Sequence, residues 1–392
     1  MSSPLTGVRV IDFTHVLAGP ACAYYLGLLG AEVIKVERPL RGDAMRHRGG
    51  TDPARAARGM STAYVTQAAG KAAITLDLES TEGRGAMRDL LRSADVFVEN
   101  HRPATLRALD LDEGRTLALN PRLIHCAMTG YGRGGPNEDA PAYDVNIQAT
   151  SGIMTLTGTK DTGPLRTGAP IMDYSVALAA GFAIAAALFE REKTGKGTFI
   201  DVSMLDTAYT LMSSTITDFV ATGNVPAARG NAANSRSPGA GSFPCKEGVL
   251  SLGVNEESQF RALAIGLGRA EWLDDQRFAD RRIRNRNAPA LEEALIEVLA
   301  QRTADAWETH LLACGVPVAK VRTLPESLET PHSKARGYLW QDEQSGLTVP
   351  GLPFRIGQSG AHRPRGTIRD LDADTETILA QIRRGGSEEG AS

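Results

Sequence analysis

"VRVIDFTHVLAGPACAYYLGLLGAEVIKVE", residues 8–37, is the stretch from which the fold class is read. "VRVIDF" at 8–13 reads as a strand, an apolar segment from about Pro20 to Leu29 as a helix stopped by Gly30, and "EVIKVE" at 32–37 as a second strand. That is a βαβ unit. An acid such as Glu37, about twenty-five residues after the first strand, would suit a dinucleotide-binding unit. The turn between strand and helix reads "THVLAGP", however, and lacks the glycine pattern G-x-G-x-x-G, which argues against a nicotinamide dehydrogenase.

The same alternation continues outward. "AAITLDL" at 72–78, a helix near 82–93, "DVFVEN" ending at Asn100, and "RLIHCAMTG" leading into "YGRGGPNEDAPAYD" repeat strand and helix. This predicts an α/β fold with a Rossmann-like, mostly parallel sheet and a site at the carboxyl ends of its strands, which carry His15, Arg38, Asn100, Thr129 and Gly130. "FIDVSMLDTAYTLMSS" continues the pattern to about Gly223. The stretch "RGNAANSRSPGAGSFP" (229–244) then marks a boundary and a mobile loop. Residues from about 243 to 330 read as a separate unit, with a strand pair around "GVLSLGV", helices through "LEEALIEVLAQRTADAWETHLLACG" and a strand "PVAKVRT". Short β segments such as "GLTVPGLPFRIG" and a final helix follow, and the terminal "GGSEEGAS" reads as disordered.

A chain of 392 residues exceeds one ordinary core, so a large and a smaller domain are expected. The net charge of −3 and the lack of a Lys/Arg block of five argue against nucleic acid as a partner. "MSSPLTGVRVIDF" shows no signal peptide. Cys22, Cys126, Cys245 and Cys314 lie far apart without a C-x-x-C, which fits free thiols in a reducing cytoplasm, and no metal is expected.

"GAPIMDYSVALAAGFAIAAALFERE" (168–192) sets Asp173 directly before sixteen residues without formal charge, Tyr174 to Phe189. Val176, Ala180, Ile184 and Leu188 recur every four residues, and Lys193 with Gly195 supplies stop signals, so a core helix rather than a membrane span is expected. Asp173 has two readings on physics alone: a helix N-cap, or an acid kept ionised by the helix N-terminus and available for chemistry.

Several segments together resemble the class III CoA-transferase family, which also includes 2-methylacyl-CoA racemases: "DFTHVLAGPACAYYLGLLGAEVIKVERP", "GKAAITLDL", "DVFVEN", "TGYGRGGP", "AYDVNIQATSG", "GAPIMDYSVALAAG", "EREKTGKGTFIDVSMLD" and "GVPVAKV". The resemblance implies that Asp173 is the covalent nucleophile, carrying an acyl group and then CoA itself as an aspartyl-CoA thioester. It implies that Leu17, Ala18, Arg38, Leu76, Asn100, His101, Tyr143 and Asp144 line the CoA site. Arg38 has its own rationale, because a guanidinium binds phosphate in bidentate fashion. Gly239, Ala240 and Gly241 are the candidate oxyanion donors in a glycine-rich loop that relatives close over the site, although "SPGAGSFP" departs from a pure glycine run. Acyl-CoA and a carboxylic acid would be substrates, with no prosthetic group.

In the racemases a histidine precedes the aspartate of an "HD" pair; here the pair is Tyr143 and Asp144, and a tyrosine with a pKa near 10 is a poor base at neutral pH. Transfer is therefore expected over racemisation, with a non-catalytic CoA-binding relative as a third reading. His15 and Tyr143 are the substrate-binding candidates. "PAYD" is similar to members acting on short dicarboxylic acids, so succinyl-CoA with a C4 to C6 dicarboxylate is expected ahead of formyl-CoA with oxalate, where Leu17 departs from the polar residue of that branch. The resemblance also implies an interlocked, ring-like homodimer in which residues 1–225 form a large CoA-binding domain, 226–332 a smaller α+β domain, and 333–392 a return that completes the large domain.

Overall fold

The computed structural model describes residues 3–389 apart from 234, 236, 344 and 358–361. The chain forms two compact units. One comprises residues up to Met154 with Arg166–Val225 and the segment from Ala335 onward; the other comprises Thr155–Leu165 and Pro226–Lys334.

In the first unit, β1 (Arg9–Phe13), β2 (Glu32–Glu37), β3 (Ala72–Thr75), β4 (Val96–Glu99), β5 (Ile124–Thr129) and β6 (Thr198–Ser203) form a sheet in the order β3-β2-β1-β4-β5-β6. Every neighbouring pair is parallel. This is the Rossmann-like α/β order, in which the chain winds one way from β1 to β3 and the other way from β4 to β6, so a crevice opens beyond the carboxyl ends of β1 and β4.

Successive side chains alternate across each strand, and the two faces bury different partners. Val10, Val33, Val98 and Ile124 pack with Ala21 and Leu26 of the helix Ala18–Leu28 and with Ala177, Ala180 and Ile184 of the long helix Ile171–Thr194. Ile11, Ile34 and Phe97 turn to the other face, against Met87, Leu90 and Leu91 of the helix Thr81–Arg92. Full burial of one such Ile or Leu contributes about 1.5–3 kcal/mol.

The long helix extends beyond the uncharged run seen in the sequence. It has 24 residues and ends where Gly195 adopts a left-handed φ of 70°. Its length and composition would suffice to cross a membrane. The stripe Val176, Ala180, Ile184 and Leu188 is buried as expected, and Arg191 is buried in an ion pair with Asp95 at 2.9 Å. Its opposite face leaves Phe182 79% and Phe189 65% exposed.

The chain leaves this unit at Val225 and returns to it at Ala335. After its return, the Pro350 carbonyl accepts the Tyr24 hydroxyl at 2.7 Å, and Asp374 accepts the Ala73 amide of β3 at 2.9 Å. A final helix spans Thr375–Glu389. The expectation of a disordered "GGSEEGAS" is thus corrected for residues 385–389; 390–392 lie outside the described residues.

In the second unit β7 (Ala240–Pro244), β8 (Val249–Gly253) and β9 (Val318–Lys320) form an antiparallel sheet. Phe243, Leu250 and Leu252 bury one face against Phe260, Leu263, Leu295 and Trp307 from the covering helices. The end of the stretch expected to be a mobile loop is therefore strand β7.

Candidate active site

Asp173 is not the cap of its helix. The N-cap position is Pro170, which offers no side-chain acceptor, and Asp173 is the third helical residue. The cap comes from another helix, Asp144–Thr150. Asp144 Oδ2 accepts the Met172 amide at 2.7 Å and the Asp173 amide at 3.4 Å, and Oδ1 accepts Gln148 Nε2 at 2.6 Å. Gln148 Oε1 in turn accepts the Thr167 amide at 2.9 Å, and Asp144 and Gln148 are both buried. The sequence offered no signal for this cap, because its partners are 28 and 29 residues apart.

With those first-turn amides occupied by Asp144, the Asp173 carboxylate has no hydrogen-bonding partner among the described residues. Burial, and then the like charge of Asp144, push its pKa up to about 7. This corrects the expectation that the helix N-terminus would hold it fully ionised: the amides that would favour a negative charge are spent on a second acid.

Asp173 faces a cavity of about 370 Å³ in the first unit, walled by the segments that follow β1, β4 and β5. Of the residues anticipated from sequence, His15, Leu17, Ala18, Asn100, His101 and Tyr143 line this cavity with it. Arg38 and Leu76 line a second cavity of about 440 Å³, and His15, His101 and Thr105 border both. Asp144 lines neither, because its carboxylate is turned into the protein. Arg102, Thr105 and Glu138 also line the first cavity and went unnoticed in the sequence.

The wall formed by residues 14–18 is held in an unusual conformation. Val16 has a φ of +70°, a left-handed geometry that costs a β-branched residue on the order of 1–3 kcal/mol. Its amide is accepted by both carboxylate oxygens of Asp43 at 3.2 Å. Asn100 clamps the neighbouring backbone: its Oδ1 accepts the His15 amide at 2.9 Å and its Nδ2 donates to the His15 carbonyl at 2.8 Å. The next helix can begin here only because Gly19 lacks a side chain, since a Cβ there would sit 2.4 Å from that of Thr14.

His101 stacks on Phe13 with ring centroids 4.2 Å apart and lies 5.0 Å from the His15 ring. Burial pushes its pKa down to about 3, so the ring is neutral. Its amide donates to the buried Glu99 at 2.7 Å.

Two charges singled out in the sequence are engaged in ion pairs. Arg38 pairs with Glu79 at 2.7 Å on the surface. Glu37, the acid of the rejected dinucleotide reading, accepts Arg46 at 2.6 and 2.8 Å in a buried pair.

The oxyanion candidates lie in the second unit and are not a free loop. Ala240 starts β7, its amide donates to the Ser237 carbonyl at 3.0 Å, and Gly241 pairs with Leu252. Gly239 uses its carbonyl to accept the Val254 amide at 3.2 Å.

An unpartnered carboxylate in a cavity at the strand ends, beside a second cavity bearing an arginine, suits attack on a thioester carried by a long anionic group. Residues 5–374 match the family model CoA-transferase family III. The chain belongs to CoA-transferase family III. As a class III CoA-transferase it acts on CoA thioesters as substrates. A succinate–glutarate CoA-transferase of Agrobacterium fabrum is 34% identical to it over 392 residues, covering 97% of both chains. An acetyl-CoA:oxalate CoA-transferase of Acetobacter aceti is 34% identical, covering 90% of this class III chain and 89% of its own. The crystal structure of a CAIB/BAIF family protein from Brucella suis superposes with a TM-score of 0.85 at 31% identity, covering 97% of this chain and all of that one.

Proposed function

We propose that the enzyme moves CoA from a short acyl-CoA such as succinyl-CoA to a short dicarboxylate through an aspartyl-CoA thioester on Asp173. The observation that carries this reading is the unpartnered Asp173 carboxylate, with its pKa raised to about 7, at the wall of the first cavity. A carboxylate with a raised pKa is a stronger nucleophile, and near neutral pH a substantial fraction of it remains ionised.

Asp173 attacks the donor thioester carbonyl, the C–S bond breaks, and CoA leaves as thiolate while a mixed anhydride forms. The thiolate attacks the aspartyl carbonyl, expelling the donor acid as carboxylate and leaving aspartyl-CoA. The acceptor carboxylate attacks that thioester and releases the thiolate again. The thiolate then takes the acceptor's acyl carbonyl and frees Asp173. No proton is gained or lost overall. Each tetrahedral oxyanion needs amide donors. The first amides of the helix Ala18–Leu28 are free of intrahelical acceptors and its N-cap Leu17 makes no side-chain cap, so Ala18 at the cavity wall is better suited to this than residues 239–241.

The second cavity suits the nucleotide end of CoA, with Arg38 exchanging Glu79 for a phosphate. Arg102 supplies a positive group, and His15, whose pKa burial lowers, a hydrogen-bonding one, for the free carboxylate of a dicarboxylic acid. Racemisation is disfavoured because the residue before Asp144 is Tyr143, whose phenol is a poor base at neutral pH. Exposed Phe182 and Phe189 support the reading that two copies of this chain associate, as the interlocked homodimer requires; a monomer by light scattering at micromolar concentration would contradict it.

The deciding experiment is intact-mass analysis after incubation with succinyl-CoA and glutarate, with hydroxylamine as trap. A CoA-sized adduct on the Asp173 peptide is expected without hydroxylamine, and with it the loss of CoA and an aspartyl hydroxamate at Asp173. Transfer retained by Asp173→Ala overturns the assignment, and solvent deuterium entering the carbon beside the thioester of a 2-methylacyl-CoA, without exchange between acids, would favour a racemase.

A further inference from the structure

We propose that Asp43 is a positioning residue for catalysis: anchored by Lys35, it holds Val16 in its left-handed conformation and so fixes the His15–Ala18 wall opposite Asp173. The inference rests on the proposed transfer reaction for its activity readout, but its structural part stands apart from that reaction.

The contacts form a strut through the sheet end. Lys35 Nζ lies 3.4 Å from Asp43 Oδ2 and donates to the Thr14 carbonyl at 2.9 Å, and both side chains are only 2% exposed. The residues flanking the strained position are thus gripped on two sides, with Asp43 on the Val16 amide and Lys35 on the Thr14 carbonyl. Asp43 is itself fixed, because its amide donates to Glu37 Oε1 at 2.8 Å and its Oδ1 accepts the Met45 amide at 2.9 Å as the cap of the short turn Ala44–Arg46. Without the carboxylate, Val16 would lose the contact that offsets its conformation, and a valine relaxes out of left-handed space. Because His15, Val16, Leu17 and Ala18 all line the first cavity while Asp43 itself lines the second, a relaxed turn would reshape the wall that faces Asp173.

The test is a double-mutant cycle with Asp43→Ser and Val16→Gly. Serine keeps the cap on Met45 but is too short to reach Val16 and Lys35. Glycine adopts left-handed φ without penalty. Asp43→Ser is expected to lower kcat about 30–100-fold while the protein still unfolds cooperatively, and the same substitution in the Val16→Gly background is expected to lower it threefold or less. Hydrogen exchange across residues 14–18 is expected to rise at least tenfold in Asp43→Ser. Should Asp43→Ser not fold, Asp43→Asn, which keeps one acceptor and removes the charge, is expected to lose about 5–10-fold, again recovered in the glycine background. Equal losses in both backgrounds, or a lowered melting temperature with unchanged kcat, would reduce Asp43 to a structural ion pair and overturn the proposal. If the wild-type protein transfers no CoA, the functional reading fails, and the exchange measurement alone then decides the role of Asp43.

Discussion

Asp144 and Asp173 share one helix start: the first carboxylate accepts the backbone amide of the second residue at 3.4 Å, and its charge helps hold the second carboxyl near neutrality. The arrangement gives the two acids separate roles, with Asp144 as a buried cap and Asp173 as the group exposed to the cavity.

The pH dependence of transfer follows. Attack requires ionised Asp173, so kcat/KM should fall below an apparent pKa of about 7. Asp144→Asn removes the like charge and should move this acid limb downward. A limb near 4 in the wild type would contradict the raised pKa.

Stability should carry the same signature with the opposite benefit. A carboxyl whose pKa rises on folding keeps its proton more tightly in the folded chain. Stability is therefore lost as pH climbs from the unfolded value near 3.9 to about 7 and levels off above that. Asp173→Asn escapes this loss. We expect it to bind CoA, to transfer at least 10³-fold more slowly, and to be more stable than wild type by about 1–3 kcal/mol at pH 8, an advantage that vanishes at pH 4. Thermal melts at the two pH values check the sign, and peptide mass excludes deamidation back to Asp.

Arg38→Ala should separate the two cavities. A roughly tenfold rise in KM is expected for succinyl-CoA, with little change for succinyl-pantetheine, which lacks the nucleotide. Equal effects on both thioesters would remove Arg38 from the nucleotide end.

Gly19→Ala tests the close approach at the first helix. The new Cβ would meet the Thr14 side chain at 2.4 Å, so the helix start must shift. A loss of about 1–3 kcal/mol in denaturant unfolding is expected, together with weakened CoA binding by calorimetry.

The sheet and the long helix were legible because each is written in local periodicity: β1 and β2 in "VRVIDF" and "EVIKVE", and the helix in the four-residue spacing of Val176 to Leu188. Asp173 was singled out by the same local contrast. What escaped was set by contacts distant in sequence. The Asp144 cap and the Asp43 grip on Val16 join residues 28 and 27 positions apart, and nothing in "THVLAGP" announces a left-handed valine. The glycine-rich "SPGAGSFP" reads as a loop by composition, yet pairing with Val249–Gly253 turns its end into a strand.

The tie between Ala73 and Asp374 places a constraint on biosynthesis. β3 is one of the two outer strands of the sheet, and the carboxylate that accepts its amide lies 301 residues further along the chain. At about 5–20 residues per second a ribosome needs roughly 15–60 s to reach it, and through that interval the nascent sheet presents an uncovered edge of the kind that recruits foreign strands. The exposure ends only when residues 372–375 have emerged.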